Sequence, residues 1–161
     1  MSILYRALAA LSLAALPLAC MADGMQFGGT FLNAPPCVIN NDRPITASFG
    51  DVLIENIDGS YKTITLPYDL DCSQALTNQV RIQVQSYFVA WFLPGSMQVE
   101  GNWELVITFK KDGSTLPINT WTDFDASKKP VLQAVLSKMT PDSEIIEGAF
   151  SSTATLMVEY R

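Results

Sequence analysis

Histidine is absent from this sequence of 161 residues. It is the side chain that most often performs general acid–base catalysis near neutral pH, so its absence disfavours many kinds of enzyme. Charged residues are also few, at 16% of the chain, and the 10 Lys and Arg residues form no cluster. The net charge of −6 repels phosphate groups, which disfavours nucleic acids and anionic membrane surfaces as partners. Hydrophobic residues make up 48% of the chain, which is typical of a globular domain.

The first 22 residues are typical of a secretory signal peptide. Arg6 supplies the positive charge, an apolar run follows over residues 7–16, and Pro17 interrupts it. Small residues at the required positions predict cleavage after Ala22, which leaves residues 23–161 as the mature chain. The apolar run is too short to favour the alternative, a membrane anchor. We therefore expect an exported protein.

Removal of the signal peptide leaves two cysteines, Cys37 and Cys72. An even pair in an oxidising compartment predicts a disulfide. Both cysteines fall on apolar faces of alternating segments, which suits an internal bridge between two strands. A reactive thiol is the alternative, but the chain has no histidine to act as its base. Closing a loop of about 35 residues should stabilise the fold by roughly 3–4 kcal/mol.

The mature chain follows a period of two residues, with Gly, Pro, Asn and Asp clusters between the alternating runs. This pattern predicts strands over residues 37–49, 64–72, 81–85 and 105–109. Residues 131–139 also fit a helix, but we favour a strand because the neighbouring segments are strands. Many short strands separated by turns predict a single all-β sandwich domain.

Both ends of the mature chain carry alternating apolar positions. Residues 148–161 predict a final strand, whose apolar face must be buried and whose edge must be paired or covered. Residues 23–36 also alternate and end in two prolines, which stiffen the chain before the domain. The alternating positions of the first segment, which we call the N-terminal row, are Met25, Phe27, Gly29 and Phe31. The positions singled out in the last segment are Gly148, Phe150, Ala154, Leu156, Val158, Tyr160 and Arg161. An ordinary first strand of the same sandwich is the alternative interpretation of residues 23–36.

In their order and spacing, these segments resemble the subunits of chaperone–usher fimbriae, in particular minor pilins of P-type and related mannose-resistant fimbriae. The resemblance covers nearly all of the mature chain. Its most specific part is the last one, a glycine followed by alternating apolar positions up to a penultimate tyrosine. The segments that carry it are 29–32, 36–40, 48–52, 70–72, 99–102 and 148–160.

The resemblance implies an incomplete immunoglobulin-like sandwich that lacks its final strand. It divides the chain into a signal peptide (1–22), an N-terminal donor-strand extension (23–36) and a pilin domain (37–161). In that family a periplasmic chaperone first fills the open groove, and the extension of another subunit replaces it at the outer-membrane usher. The N-terminal row would then be the donor strand, and the C-terminal positions would form the edge that accepts the chaperone or a donor.

The function implied by the resemblance is that of a structural subunit, of the minor or adaptor type. Its partners would be the periplasmic chaperone, the usher and neighbouring pilin subunits. It would be exported through the periplasm to a fimbria on the cell surface. No cofactor, metal, nucleic acid or small-molecule substrate is expected.

An enzyme is the first alternative, and its candidates are two pairs of carboxylates. Asp69 and Asp71 form one pair, and Asp123 and Asp125 form the other. Two residues separated by one lie on the same face of a strand, as a pair of acid and base would need. The first pair lies opposite the Cys72 face, so we expect it in solvent and not in a catalytic site.

A carbohydrate-binding fimbrial adhesin module is the second alternative. Trp91, Trp103 and Trp121 could stack on sugars, although tryptophan in a sandwich is more often part of the core. The stretch 87–92 is unusually aromatic. It could belong to the core and loops or could form a contact specific to this subunit.

Overall fold

The computed structural model describes residues 28, 36–90, 92–93 and 95–161. In this part of the chain the regular structure consists of strands and two short 3-10 turns, so the prediction of an all-β fold is confirmed. None of these residues forms a helix long and apolar enough to cross a bilayer. The strands are β1 (Val38–Ile39), β2 (Ile64–Thr65), β3 (Leu70–Asp71), β4 (Gln79–Gln85), β5 (Ser96–Val99), β6 (Asn102–Lys111), β7 (Ser114–Thr115), β8 (Thr122–Asp125), β9 (Leu132–Lys138) and β10 (Thr155–Tyr160), and the turns are Asn40–Asp42 and Ile54–Asn56.

The strands form three antiparallel sheets. The largest has the order β2-β9-β6-β5, with β7 paired to β6 as well. The second has the order β10-β4-β8, and the third consists of β1 and β3. The long strands β6 and β9 pair from Leu105 with Lys138 to Lys111 with Leu132.

A single apolar core lies between the two larger sheets. Ile82 and Val84 of β4 belong to the same buried cluster as Ile107 of β6 and Leu136 of β9. On β4 and β6 these core residues alternate with residues on the opposite face of the sheet, as the period of two predicts. The two sheets therefore pack face to face as a sandwich.

Residues 131–139, whose spacing fitted both a helix and a strand, form strand β9. The strand pairs with β6 on one side and with β2 on the other. Val135 is buried although it lies on the face opposite Leu136, so both faces of β9 are covered. A strand buried on both faces loses its clear alternation, which explains the ambiguous pattern.

The strands predicted over 37–49 and 64–72 were too long. The first ends after Ile39, because residues 40–42 all adopt positive φ angles of 50–59° and form a 3-10 turn. The second is divided into β2 and β3. Between them the ring of Tyr68 is buried and its hydroxyl donates a hydrogen bond to the carbonyl oxygen of Pro130.

The disulfide between Cys37 and Cys72 is present. Cys37 directly precedes β1 and Cys72 directly follows β3, and these two strands pair antiparallel. Each strand has only two residues, so the disulfide is the main covalent tie of this small sheet.

Candidate functional site

A groove opens beside the last strand. We define its two walls as residues 44–52 and residues 148–154. Between them lies a cavity of about 960 Å³. A smaller cavity of about 160 Å³ continues down to the core residues Val84, Ile107 and Ala134. The core of the sandwich is therefore accessible along this groove.

Strand β10 forms an edge of its sheet. Its residues pair with β4, Leu156 opposite Val84 and Val158 opposite Ile82, and in the described part of the chain β10 has no strand on its other side. Val84 and Ile82 are buried, whereas Leu156 and Val158 are only half-buried although they pack against the core. An edge of this kind offers unpaired backbone groups to a further strand.

The opposite wall contributes apolar side chains without forming a strand. Residues 43–53 adopt no regular secondary structure in the described chain. Ile45 and Phe49 are half-buried against the core, and Ala47 between them is exposed at the groove. The alternation of these residues predicts a strand, so the sequence pattern did not reveal residues 44–52 as half of the site.

The predicted C-terminal residues divide into three groups. Phe150 and Ala154 lie on the wall of the groove, together with Leu156 at its base. Val158 packs into the core. Gly148 is exposed, with a φ angle of 132° that favours glycine, and the predicted strand begins only at Thr155.

The last two residues are held away from the groove's apolar base. The Tyr160 hydroxyl accepts a hydrogen bond of 3.0 Å from the backbone N–H of Leu76. The Arg161 guanidinium lies 3.2 Å from a carboxylate oxygen of Asp123, and its backbone N–H donates to the carbonyl oxygen of Gln79. These contacts extend the pairing of β10 with β4 to the end of the chain.

The N-terminal row of Met25, Phe27, Gly29 and Phe31 lies outside the described residues, as does the signal peptide. Their assignment as donor strand and leader stays a prediction from the sequence.

The carboxylate pairs lack the environment of a general acid. All four side chains are exposed. Hydrogen bonds from Ser73 lower the pKa of Asp71, and hydrogen bonds from Ser127 lower the pKa of Asp125. A general acid at neutral pH needs a raised pKa instead.

The two described tryptophans of the predicted sugar platform are separated in the fold. Trp103 belongs to β6, and Trp121 directly precedes β8 of the other sheet. The guanidinium of Arg81 lies 5.1 Å above the Trp121 ring, which is half-buried. Trp91 lies outside the described residues.

The described residues contain no group of three or more His, Cys, Asp and Glu side chains that could hold a metal ion.

The fold matches solved pilus subunits. The TM-score is 0.64 with the P pilus rod subunit PapA, at 19% identity, covering 78% of this chain and 99% of PapA. It is 0.57 with the P pilus adaptor subunit PapF, also at 19% identity, covering 79% of this chain and 97% of PapF. The fold, with its open groove, is therefore the incomplete immunoglobulin-like sandwich of the pilins, as the sequence predicted.

Sequence relatives agree with the fold. The fimbrial-like protein YfcQ of Escherichia coli (strain K12) is 28% identical over 154 residues, covering 86% of this chain and 88% of YfcQ. The fimbrial-like protein YfcR of the same strain is 26% identical over 132 residues, covering 79% of this chain and 74% of YfcR. No sequence-family profile matches the chain.

The chain is thus similar in sequence to fimbrial-like proteins and in fold to pilus subunits. Both likenesses support a structural subunit of a fimbria of the chaperone–usher type. The proteins that the chain resembles are fimbrial and pilus subunits, a non-enzymatic family, which supports the prediction of a non-enzymatic protein.

Proposed function

We propose that this subunit is assembled by strand exchange at the groove between residues 44–52 and 148–154. A chaperone strand occupies the groove first, and the N-terminal extension of a neighbouring subunit then replaces it. The subunit's own extension, residues 23–36, fills the groove of another subunit. The observation that supports this most directly is the groove itself, which reaches the buried core beside the edge strand β10.

An added strand would pair with the edge of β10 and cover the apolar base of the groove. Its backbone pairs with the free edge of β10, and its alternate side chains cover the apolar base around Ile107 and Leu156. Each apolar side chain that becomes fully buried contributes roughly 1.5–3 kcal/mol. Ordering the free extension opposes this gain, but the apolar lining of the groove leaves water as well.

The route to the fimbria follows from the same proposal. The predicted signal peptide, residues 1–22, directs the chain to the periplasm, where the disulfide between Cys37 and Cys72 can form. A periplasmic chaperone keeps the groove covered until the outer-membrane usher brings the next subunit. The finished subunit lies in a fimbria on the cell surface.

We assign the subunit to a minor or adaptor position in the fimbria. This assignment is supported by the resemblance of its motifs to minor pilins, and by a single domain that carries its own donor extension. A two-domain adhesin at the tip would not need such an extension.

Two substitutions separate donation from acceptance. Gly29→Arg places a large charged side chain in the donor row, so it should block donation but leave capture by the chaperone unchanged. Leu156→Asp places a charge at the base of the groove, so it should abolish capture by the chaperone. Both are measured in the periplasm by co-purification with the chaperone and by subunit complexes that resist dissociation on denaturing gels.

Thr155→Asp is the matched control for Leu156→Asp, since it introduces the same charge at an exposed neighbouring position of β10. It should be captured like the natural chain. If Gly29→Arg also prevented capture, residues 23–36 would belong to the subunit's own core and the proposal would be wrong.

A further inference from the structure

Two large apolar side chains, those of Leu53 and Ile146, are exposed at one end of the groove. Leu53 is 57% exposed and Ile146 is 65% exposed, and both line one cavity. We call the two segments that carry them, residues 53–55 and 145–147, the end surface. Exposed apolar side chains that are grouped in this way mark interaction surfaces.

The end surface continues directly from the groove. A cavity of about 380 Å³ lies between its two segments. Val52, Gly148 and Phe150 line both this cavity and the larger one between the walls. Val52 is the last residue of one wall and Gly148 is the first residue of the other. A chain that leaves the groove at this end therefore passes over the end surface.

The backbone beneath the end surface is held by hydrogen bonds. The buried side chain of Asn102, the first residue of β6, donates to the carbonyl oxygen of Ile146 at 2.9 Å and accepts from the backbone N–H of Ile146 at 3.3 Å. In the other segment, the backbone N–H of Asn56 donates to the carbonyl oxygen of Leu53 at 3.0 Å and closes a 3-10 turn. Both exposed side chains thus have a preorganised support, which lowers the entropy cost of binding a partner.

Strand direction decides which part of a donor reaches this end of the groove. Every strand pair in the described chain is antiparallel, and antiparallel pairing is the more stable kind per residue. A donor antiparallel to β10 begins beside Tyr160, runs on between the walls and leaves beside Gly148. In a donor built like this chain, two stiff prolines end the extension and the pilin domain follows at once, from Cys37. The donor's domain therefore emerges at the end surface.

The charges around the end surface indicate which kind of partner face it fits. Glu55 and Glu147 are exposed beside the apolar pair, and no Lys or Arg is among the described residues that line the cavity. A complementary face is apolar at its centre and carries Lys or Arg at its rim.

We propose that the end surface is the contact surface for the folded domain of the neighbouring subunit whose extension fills the groove. This inference rests on the proposed strand exchange. It adds a domain-to-domain interface to the strand contact, formed where the donor strand leaves the groove.

Photo-crosslinking in the producing bacterium tests the contact with the full chain. A photoreactive phenylalanine derivative replaces either Ile146 or Thr46, an exposed residue on the groove wall. We expect position 46 to link to the N-terminal extension of a fimbrial subunit, and position 146 to link to the folded domain of that same subunit. Mass spectrometry of the linked peptides locates both attachment sites.

Val131 is the control position for the end surface. It is also an exposed apolar residue (49% exposed), and it bonds to Asp112, beyond the opposite end of β6 from Asn102. The same derivative at position 131 should not link to the domain of the subunit that position 46 identifies.

The crosslinking outcomes separate the two proposals. If position 46 links to a subunit's extension and position 146 links only to the chaperone, or to nothing, strand exchange stands and the end surface is not this interface. If position 46 links to no subunit extension, strand exchange itself is wrong, and the inference falls with it.

A competition gives an independent test with the donor subunit that position 46 identifies. The natural chain and the double variant Leu53→Ser, Ile146→Ser, each bound to the chaperone, compete in equal amounts for a limiting amount of that subunit. We expect about ten times more of the natural chain in the product, since loss of an interface hot spot weakens binding by about this factor or more. With a peptide that contains only the extension, the two chains should be recovered equally. The control Val131→Ser should compete equally with the natural chain in both cases.

The same preference for the natural chain with subunit and with peptide would mean that the substitutions disturb the groove, and would overturn the inference. Equal recovery of both chains with the whole subunit would show that the end surface adds nothing to the strand contact, and would overturn it as well.

Discussion

The rings of Phe49 and Phe150 meet across the groove, with their centroids 6.2 Å apart and their planes inclined by 35°. The two residues belong to opposite walls, and both pack against the core. This contact ties the two walls together and covers part of the core that an added strand would otherwise cover. A donor side chain entering here must pack against these rings.

Phe150→Ala should lower the free energy of unfolding more than a substitution of any exposed residue around the groove. The half-buried ring is lost from one wall and Phe49 loses its partner, so we expect a loss of about 1–2 kcal/mol, less than for a fully buried phenylalanine. The measurement is urea unfolding of a self-complemented chain, in which residues 23–36 follow Arg161 through a short linker. Phe150→Leu, which keeps most of the apolar area, should lose less than half as much, and equal losses would contradict this role of the ring.

The self-complemented chain should also be far more stable than the chain with an open groove. The linked strand buries several apolar side chains against Leu156 and the rest of the groove base, at roughly 1.5–3 kcal/mol each. We expect the melting temperature to rise by more than about 10 °C. A linked strand in which Phe27 and Phe31 are replaced by serine is the control. An open chain that melts at the same temperature as the self-complemented one would show that the core is already complete.

The disulfide should contribute strongly to stability, because β1 and β3 are too short to hold each other. The bonded cysteines are 35 residues apart in sequence, and closing such a loop is worth roughly 3–4 kcal/mol. Replacing both Cys37 and Cys72 by serine should lower the free energy of unfolding of the self-complemented chain by roughly 3–4 kcal/mol, as measured by urea unfolding. A change of less than about 1 kcal/mol would show that the small sheet is held mainly by other contacts.

Stability should fall at high pH through Tyr68. Burial, and next the nearby charge of Asp112, raise the pKa of its hydroxyl to about 12, from an ordinary value of 10.0. Because the folded state holds the proton more tightly, this contribution is complete below pH 10 and is lost as the pH rises through about 12. The unfolding free energy of the self-complemented chain should therefore decline between pH 10 and 12 more steeply than that of Tyr68→Phe. Parallel curves for the two chains would contradict the raised pKa.

Sequence patterns predicted the long strands well and the short ones poorly. The strands β4 and β6 have several apolar residues in phase, so a period of two is visible over their whole length. Near Ile39 and Tyr68 the apolar alternation continues through residues that leave the sheet, because a side chain can face the core from a turn as well as from a strand. Alternation reports which side chains are buried, and backbone pairing is a separate property.

The sequence by itself determined the likeness to fimbrial subunits, the all-β class and the disulfide, since these depend on residue types and their order along the chain. Only the tertiary structure decided that residues 44–52 form the second wall of the groove, and that the rings of Phe88 and Trp103 are neighbours. Both results depend on contacts between residues distant in the chain, such as Phe49 with Phe150, and a local pattern carries no information about such contacts. The same holds for the edge of β10, which pairs only with β4 among the described strands, because an edge is visible only when the neighbouring strands are in place.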